Sequence, residues 1–131
     1  MSFNRVIILP DHACVEAIID GYEDWDSATE VIVEMCEQVE ARSWKRILID
    51  FRRVNLRVSR SEAHDIANFF NSFVNYAMNI AVWLPAGERD AEVINTFARR
   101  MDELGHAMTP IRTVADRDAW LVGPLPKAAN A

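Results

Sequence analysis

The stretch from Lys45 to Glu62, KRILIDFRRVNLRVSRSE, constrains the fold most. Ile47, Leu48 and Ile49 are apolar at consecutive positions, so a strand there presents apolar side chains to both sides and needs cover on both, as in a mostly parallel sheet. Ligands and partners of such sheets meet the carboxyl ends of the strands. Just past that end stand Arg52, Arg53, Arg57 and Arg60, and Ser59 with Glu62 has the Ser-x-x-Glu spacing of a capping box. The stretch reads as a central strand, an arginine-rich loop and a helix start.

Strands and helices alternate on either side of it. Arg5 to Leu9 reads as a strand, Pro10-Asp11-His12 breaks it, and Cys14 to Asp20 follows as a second strand closed by Gly21, which together make a hairpin. A helix from about Ser27 to Arg42 sets Ala28, Val31, Ile32, Met35, Cys36 and Val39 on one face and Glu30, Glu34 and Glu37 opposite. Its cap is either Ser27, with Glu30 in capping-box spacing, or Asp26. A helix from about Ser61 to Asn75 or Met78 carries a broad aromatic face. A strand at Ile80 to Leu84 stops at Pro85, a helix follows from about Asp90 to Leu104 with Gly105 as its stop, and the last strand is expected at Ile111 to Val114. Asp116 is the expected cap of a short final helix ended by Gly123. The order β-β-α-β-α-β-α-β-α predicts an α/β fold: one domain over residues 1–123, with a mixed, mostly parallel five-stranded sheet, an N-terminal hairpin and about four helices. Residues 124–131 are expected to form a flexible tail.

A formal charge of −6 and a pI near 5 argue against a broad nucleic-acid surface, which needs clustered positive charge. No window approaches the ~18 apolar residues of a membrane span, and the amino terminus lacks the regions of a signal peptide, so neither membrane insertion nor secretion is expected. Cys14 and Cys36 have no paired spacing, which fits a reduced, cytoplasmic setting. Charge is segregated: nine acids and no base lie from Glu16 to Glu40, then seven bases against Asp50 alone from Arg42 to Arg60. Two adjacent solvated faces would give this pattern, and so would a bipolar surface that steers a partner. His12, His64 and His106 are dispersed, with no His-x-x-His, Cys-x-x-Cys or Gly-rich phosphate loop, so no metal and no cofactor is expected. Ser59, Ser61, His64 and Asp65 contain the atoms of a hydrolase site, but at a helix start capping explains them better.

Two local patterns, with this element order, resemble the STAS family, which includes bacterial anti-anti-sigma factors and the cytoplasmic domains of sulfate transporters. Ala17-Ile18-Ile19-Asp20-Gly21-Tyr22-Glu23-Asp24-Trp25-Asp26-Ser27-Ala28 is similar to the family's second strand, its Gly, the acidic residue three positions later and the helix start. Arg46 to Val54 is similar to its central strand and the loop leading to the phosphorylation segment. The resemblance covers roughly Phe3 to Val122. Counted from the strand, Ser59 falls at the position that anti-anti-sigma factors phosphorylate, although Val58 and Ser61 stand where the family has Asp and Gly. The late Asp116 to Leu121 helix and the variant loop are similar to a STAS-like branch related in fold to CRAL-TRIO lipid-transfer domains. The resemblance implies helices mainly on one face of the sheet, which leaves the second face to be covered by a dimer or an apolar ligand.

The first expectation for function is a non-enzymatic regulatory module. Its loops around Asp24 and from Arg52 to Ser61 meet a protein partner, with Asp24, Arg52, Arg53, Arg57 and Arg60 as contacts. Local pairing of Arg52 or Arg53 with Asp24 or Asp26 is the competing account of that charge. The alternative is a small apolar or lipid-like ligand held by Phe70, Phe73, Trp83 and Phe97. A homodimer joining the arginine loop to the acidic helix face is also expected.

Overall fold

A computed structural model of the chain describes residues 3–125. The expected tail, residues 124–131, lies outside the described residues except for Pro124 and Leu125. In order the elements are β1 (Arg5–Leu9), a 3-10 turn (Pro10–His12), β2 (Cys14–Glu23), α1 (Trp25–Arg42), β3 (Arg46–Leu56) and α2 (Arg60–Asn71). Then come β4 (Asn79–Trp83), α3 (Glu88–Glu103), β5 (Ala107–Ile111) and α4 (Val114–Val122). The strands lie in the order β1-β2-β3-β4-β5, with β1 antiparallel to β2 and every other pair parallel. The α/β class, the hairpin and the five-stranded mixed sheet agree with the sequence reading.

Several boundaries differ. Helix α1 begins earlier, because Asp24 and neither Asp26 nor Ser27 is its cap. Strand β3 runs on through Arg52 and Arg53 to Leu56, since Phe51 and Leu56 still turn into the core between charged neighbours. Helix α2 stops at Asn71, short of Asn75 or Met78. Strand β5 is Ala107–Ile111 and not Ile111 to Val114: Pro110 sits in it opposite Val82, tolerated because β5 is an edge strand. Thr113 caps α4 by accepting from the Asp116 N–H, so Asp116 is inside the helix. Gly105, at φ 103°, ends α3 in a conformation that glycine alone adopts freely.

Alternation divides the sheet into two faces. Val15, Ala17 and Ile19 of β2, Ile47, Ile49 and Phe51 of β3, and Ile80 and Val82 of β4 join the apolar sides of α1, α2 and α3 in the main core. On the other face Cys14, Leu48, Ala81, Trp83 and Ile111 lie under Trp120 and Leu121 of α4. Three helices therefore cover one face and α4 the other. The second-face cover expected from a dimer or a ligand is supplied over β3 to β5 by the chain itself, and burying Trp120 and Leu121 stabilises by roughly 2 kcal/mol each. Arg46, at the start of β3, holds α4 in place by donating from Nη1 to the Trp120 and Leu121 carbonyls, both at 2.6 Å, and from Nη2 to that of Gly123.

Candidate functional site

Strands β2 and β3 outrun their neighbours, with a register irregularity between Ile18 and Asp20, and their carboxyl ends deliver the amino termini of α1 and α2 side by side. The Arg57 N–H donates to the Glu23 carbonyl at 2.8 Å, which ties the approach to α2 to the residue before Asp24. Asp24 Oδ1 accepts from the Ser27 N–H at 3.0 Å, and Ser27 Oγ accepts from the Asp24 N–H at 2.9 Å. That amide holds the Asp24 carboxyl below the usual carboxylate range. At α2 the spacing seen in the sequence forms its capping box: Ser59 Oγ accepts from the Glu62 N–H, and Glu62 Oε1 accepts from the Ser59 N–H, both at 3.1 Å. Ser59 is on the surface.

The four arginines diverge from this junction. Arg52 turns to the second face of the sheet, where its Nη2 lies 2.9 Å from Asp50 Oδ2, its Nε 3.1 Å from Oδ1, and its guanidinium 3.6 Å from the centre of the Trp83 ring. The side chain of Arg53 is 77% exposed and only 3.9 Å from Asp20; neither Arg52 nor Arg53 pairs with Asp24 or Asp26. Arg57 lies over Tyr22, at 5.5 Å. Arg60, the first residue of α2, is exposed and pairs with Glu92 of α3. Asp24, Arg57, Ser59 and Arg60 thus share the carboxyl end of the sheet, Arg53 stands on the flank and Arg52 behind it.

The aromatic candidates separate in the same way. Phe70 and Phe97, with ring centres 6.3 Å apart, line an apolar cavity of about 50 Å3 between the sheet and α1, α2 and α3. Glu23 also lines it, and burial pushes its carboxyl above the usual range. Phe73 is 40% exposed on the far side of α2, and Trp83 is on the opposite face of the sheet. Sequence reasoning missed a surface stripe in which Trp25 of α1 lies 6.4 Å from Phe69 of α2, and Phe69 lies 4.9 Å from Phe73. The i, i+4 spacing of Phe69 and Phe73 signals it; Trp25 was hidden because the helix was expected to begin only at about Ser27. Burial pushes the thiols of Cys14 and Cys36 up to about 12, which leaves both unreactive. Among the described residues no group of three or more His, Cys, Asp or Glu is placed to hold a metal, and no helix is long and apolar enough to cross a membrane.

No family model matches the sequence, and no curated protein matches it. A solved structure does: the anti-sigma factor antagonist SpoIIAA in its unphosphorylated form superposes with a TM-score of 0.62, covering 93% of this chain and 100% of that one. The chain has the STAS fold. At 11% identity the likeness is one of fold, and what this chain does must come from its own residues.

Proposed function

We propose that the chain is a non-enzymatic STAS-type regulatory module that meets a protein partner at the carboxyl end of its sheet. The observation that carries this reading is that Arg57 and Arg60, both exposed, share the carboxyl end of the sheet with Asp24 and Ser59, with exposed Arg53 on the flank and the exposed Tyr22 ring beside Arg57. Exposed arginine next to exposed aromatic surface is the composition that protein interfaces favour. In an acidic chain such a patch selects a partner with acidic groups. Asp24 supports the site by fixing the start of α1, and the name of the structural neighbour, an anti-sigma factor antagonist, agrees with a binding role.

The test replaces Arg53, Arg57 and Arg60 together by Ala. Arg52 is left alone, because its loss would strand the buried Asp50. Affinity capture from the source organism is expected to retain a protein on the natural chain and lose it on the triple variant, with thermal unfolding unchanged. Equal capture by both overturns the proposal. Two further readings attach to nearby residues. Phosphate on Ser59 would find Arg57 and Arg60 at a helix amino terminus but would displace the hydroxyl that caps α2. An apolar ligand beside Phe70 and Phe97 fits less well, since about 50 Å3 is far below the roughly 300 Å3 at which ligand pockets begin.

A further inference from the structure

Strand β1 ends the sheet, and among the described residues nothing pairs with its outer edge. The Phe3 N–H donates to the Asp20 carbonyl at 2.8 Å, in the register that sets Arg5 opposite Ile18. In an antiparallel pair, positions that exchange both backbone bonds alternate with positions that exchange none. Phe3, Arg5, Ile7 and Leu9 therefore turn their N–H and C=O inward to β2, and Asn4, Val6 and Ile8 turn theirs outward. The edge strand on the other side, β5, carries Pro110, a residue that blunts sheet edges. Strand β1 has no such guard: Val6 to Leu9 are all apolar, and Arg5 is its one charge.

This edge is complementary to itself about a two-fold axis at Val6. Bonded pairs across the axis must come from the outward residues, which gives Val6 with Val6 and Asn4 with Ile8. Arg5 then stands opposite Ile7, where its long stem leaves the guanidinium in water. Phe3, 60% exposed, comes to lie on Leu9 of the second copy, which is only partly buried beside the α4 cluster. An axis at Ile7 would set Asn4 against Pro10, which has no N–H to give, and an axis at Arg5 would set two arginines face to face.

Charge on α1 agrees with the same axis. The Trp25 ring lies 6.4 Å from that of Phe69 in α2, and Glu34, Gln38 and Arg42 form the opposite flank of α1, toward β1. All of α1 packs back along β2 from its carboxyl end, so at rises of about 1.5 Å per helical residue and about 3.3 Å per strand residue Gln38 comes near the height of Val6. Arg42 donates from Nη1 to Gln38 Oε1 at 2.6 Å, and neither Arg42 nor Glu34 makes an ion pair among the described residues. With the axis at Val6, two copies of α1 run antiparallel, and Glu34 of each stands beside Arg42 of the other. Asp26, Glu30 and Glu37 point outward, clear of the seam.

We propose that the protein associates with a second copy of itself, β1 edge to β1 edge about Val6, so that one sheet runs through both. The backbone groups of Asn4, Val6 and Ile8 supply the ladder, and Glu34 with Arg42 supplies an ion pair on each side of the axis. One strand and one helix flank per copy make a small interface by the standard of roughly 1,600 Å2, so dimer and monomer exchange in the micromolar range. This seam is separate from the arginine loop, and it leaves the carboxyl ends of β2 and β3 open on both copies. The partner surface proposed above can fail without it, and it without that surface.

Sedimentation equilibrium of the full chain from about 10 µM to about 1 mM is expected to show monomer and dimer in exchange. Amide exchange followed by NMR at both ends of that range locates the seam. The N–H groups of Asn4, Val6 and Ile8 gain protection at the higher concentration, while those of Arg5, Ile7 and Leu9 are protected at both. Val6→Pro removes an outward donor that an edge strand can spare and weakens association about ten-fold. Should that variant lose its fold, the charge variants still decide: Glu34→Arg and Arg42→Glu each weaken association several-fold, and the two together restore it. A chain that stays monomeric overturns the proposal, including when a strand of another protein fills the edge. So does a dimer whose three outward amides exchange as in the monomer, or one indifferent to the charge reversals.

Discussion

His106 is 2% exposed, and its Nδ1 accepts from the Met78 N–H at 3.0 Å, which leaves Nε2 to donate its proton to Asn71 Oδ1 at 2.8 Å. The ring thus joins the end of α2 to the approach to β4, and both of its bonds require the neutral form. Burial lowers its pKa from 6.5. The folded value lies below the unfolded one, so the stability this contributes is complete above about pH 6.5 and is lost as pH falls through the lower folded value. Imidazole nitrogen NMR is expected to find the Nε2–H tautomer at neutral pH and protonation below 6.5; a ring already cationic at 6.5 contradicts the assignment. None of this is legible in a sequence where three histidines stand apart, because the partners of His106 are brought to it by the fold. The Ser59 and Glu62 box is legible, since it closes within one turn. The Asp24 cap was missed for a related reason: its partner Ser27 resembles a cap itself, and Asp26 lies between them.

Helix α4 shows how an element can be foreseen while its place is not. Its length and its glycine stop are readable, but nothing in nine residues says that it crosses to the face opposite the other helices. That is decided by the alternation of Leu48, Ala81 and Trp83 on that face and by Arg46, whose role as a clamp on α4 carbonyls depends on a residue about seventy-five positions away. Replacing Arg46 by Ala leaves the last turn of α4 without its donors and is expected to destabilise the protein by roughly 2–3 kcal/mol. Amide exchange in α4 should accelerate before that of α1 to α3; uniform acceleration would mean that α4 is not a separately held element. The strands teach the complementary lesson. Arg52 and Arg53 made the end of β3 look like a loop, and the last strand was expected only after Pro110, yet a bulged strand end and a sheet edge accept these residues.

At the scale of the molecule, alternation of strands and helices was enough to predict the α/β class, whereas the distribution of buried charge required coordinates. Glu23 was visible only as one of nine acids in a row, and it proves to be 3% exposed beside the apolar cavity, with Asn4 Nδ2 donating to its Oε1 at 3.0 Å. Burial raises its pKa above 4.5, with the neighbouring Ser27 hydroxyl and the bond from Asn4 opposing. The folded chain therefore keeps this proton while the unfolded chain has already lost it. Stability falls as pH climbs from about 4.5 through the raised folded value. Glu23→Gln keeps an oxygen for Asn4 and removes the charge. It is expected to exceed the natural chain in denaturant stability at pH 7 and to lose that advantage at about pH 4, where both side chains are neutral. An advantage that persists unchanged at the lower pH would trace the effect to packing. A variant weaker at neutral pH would mean that what Ser27 and Asn4 contribute to the carboxylate outweighs the burial of its charge.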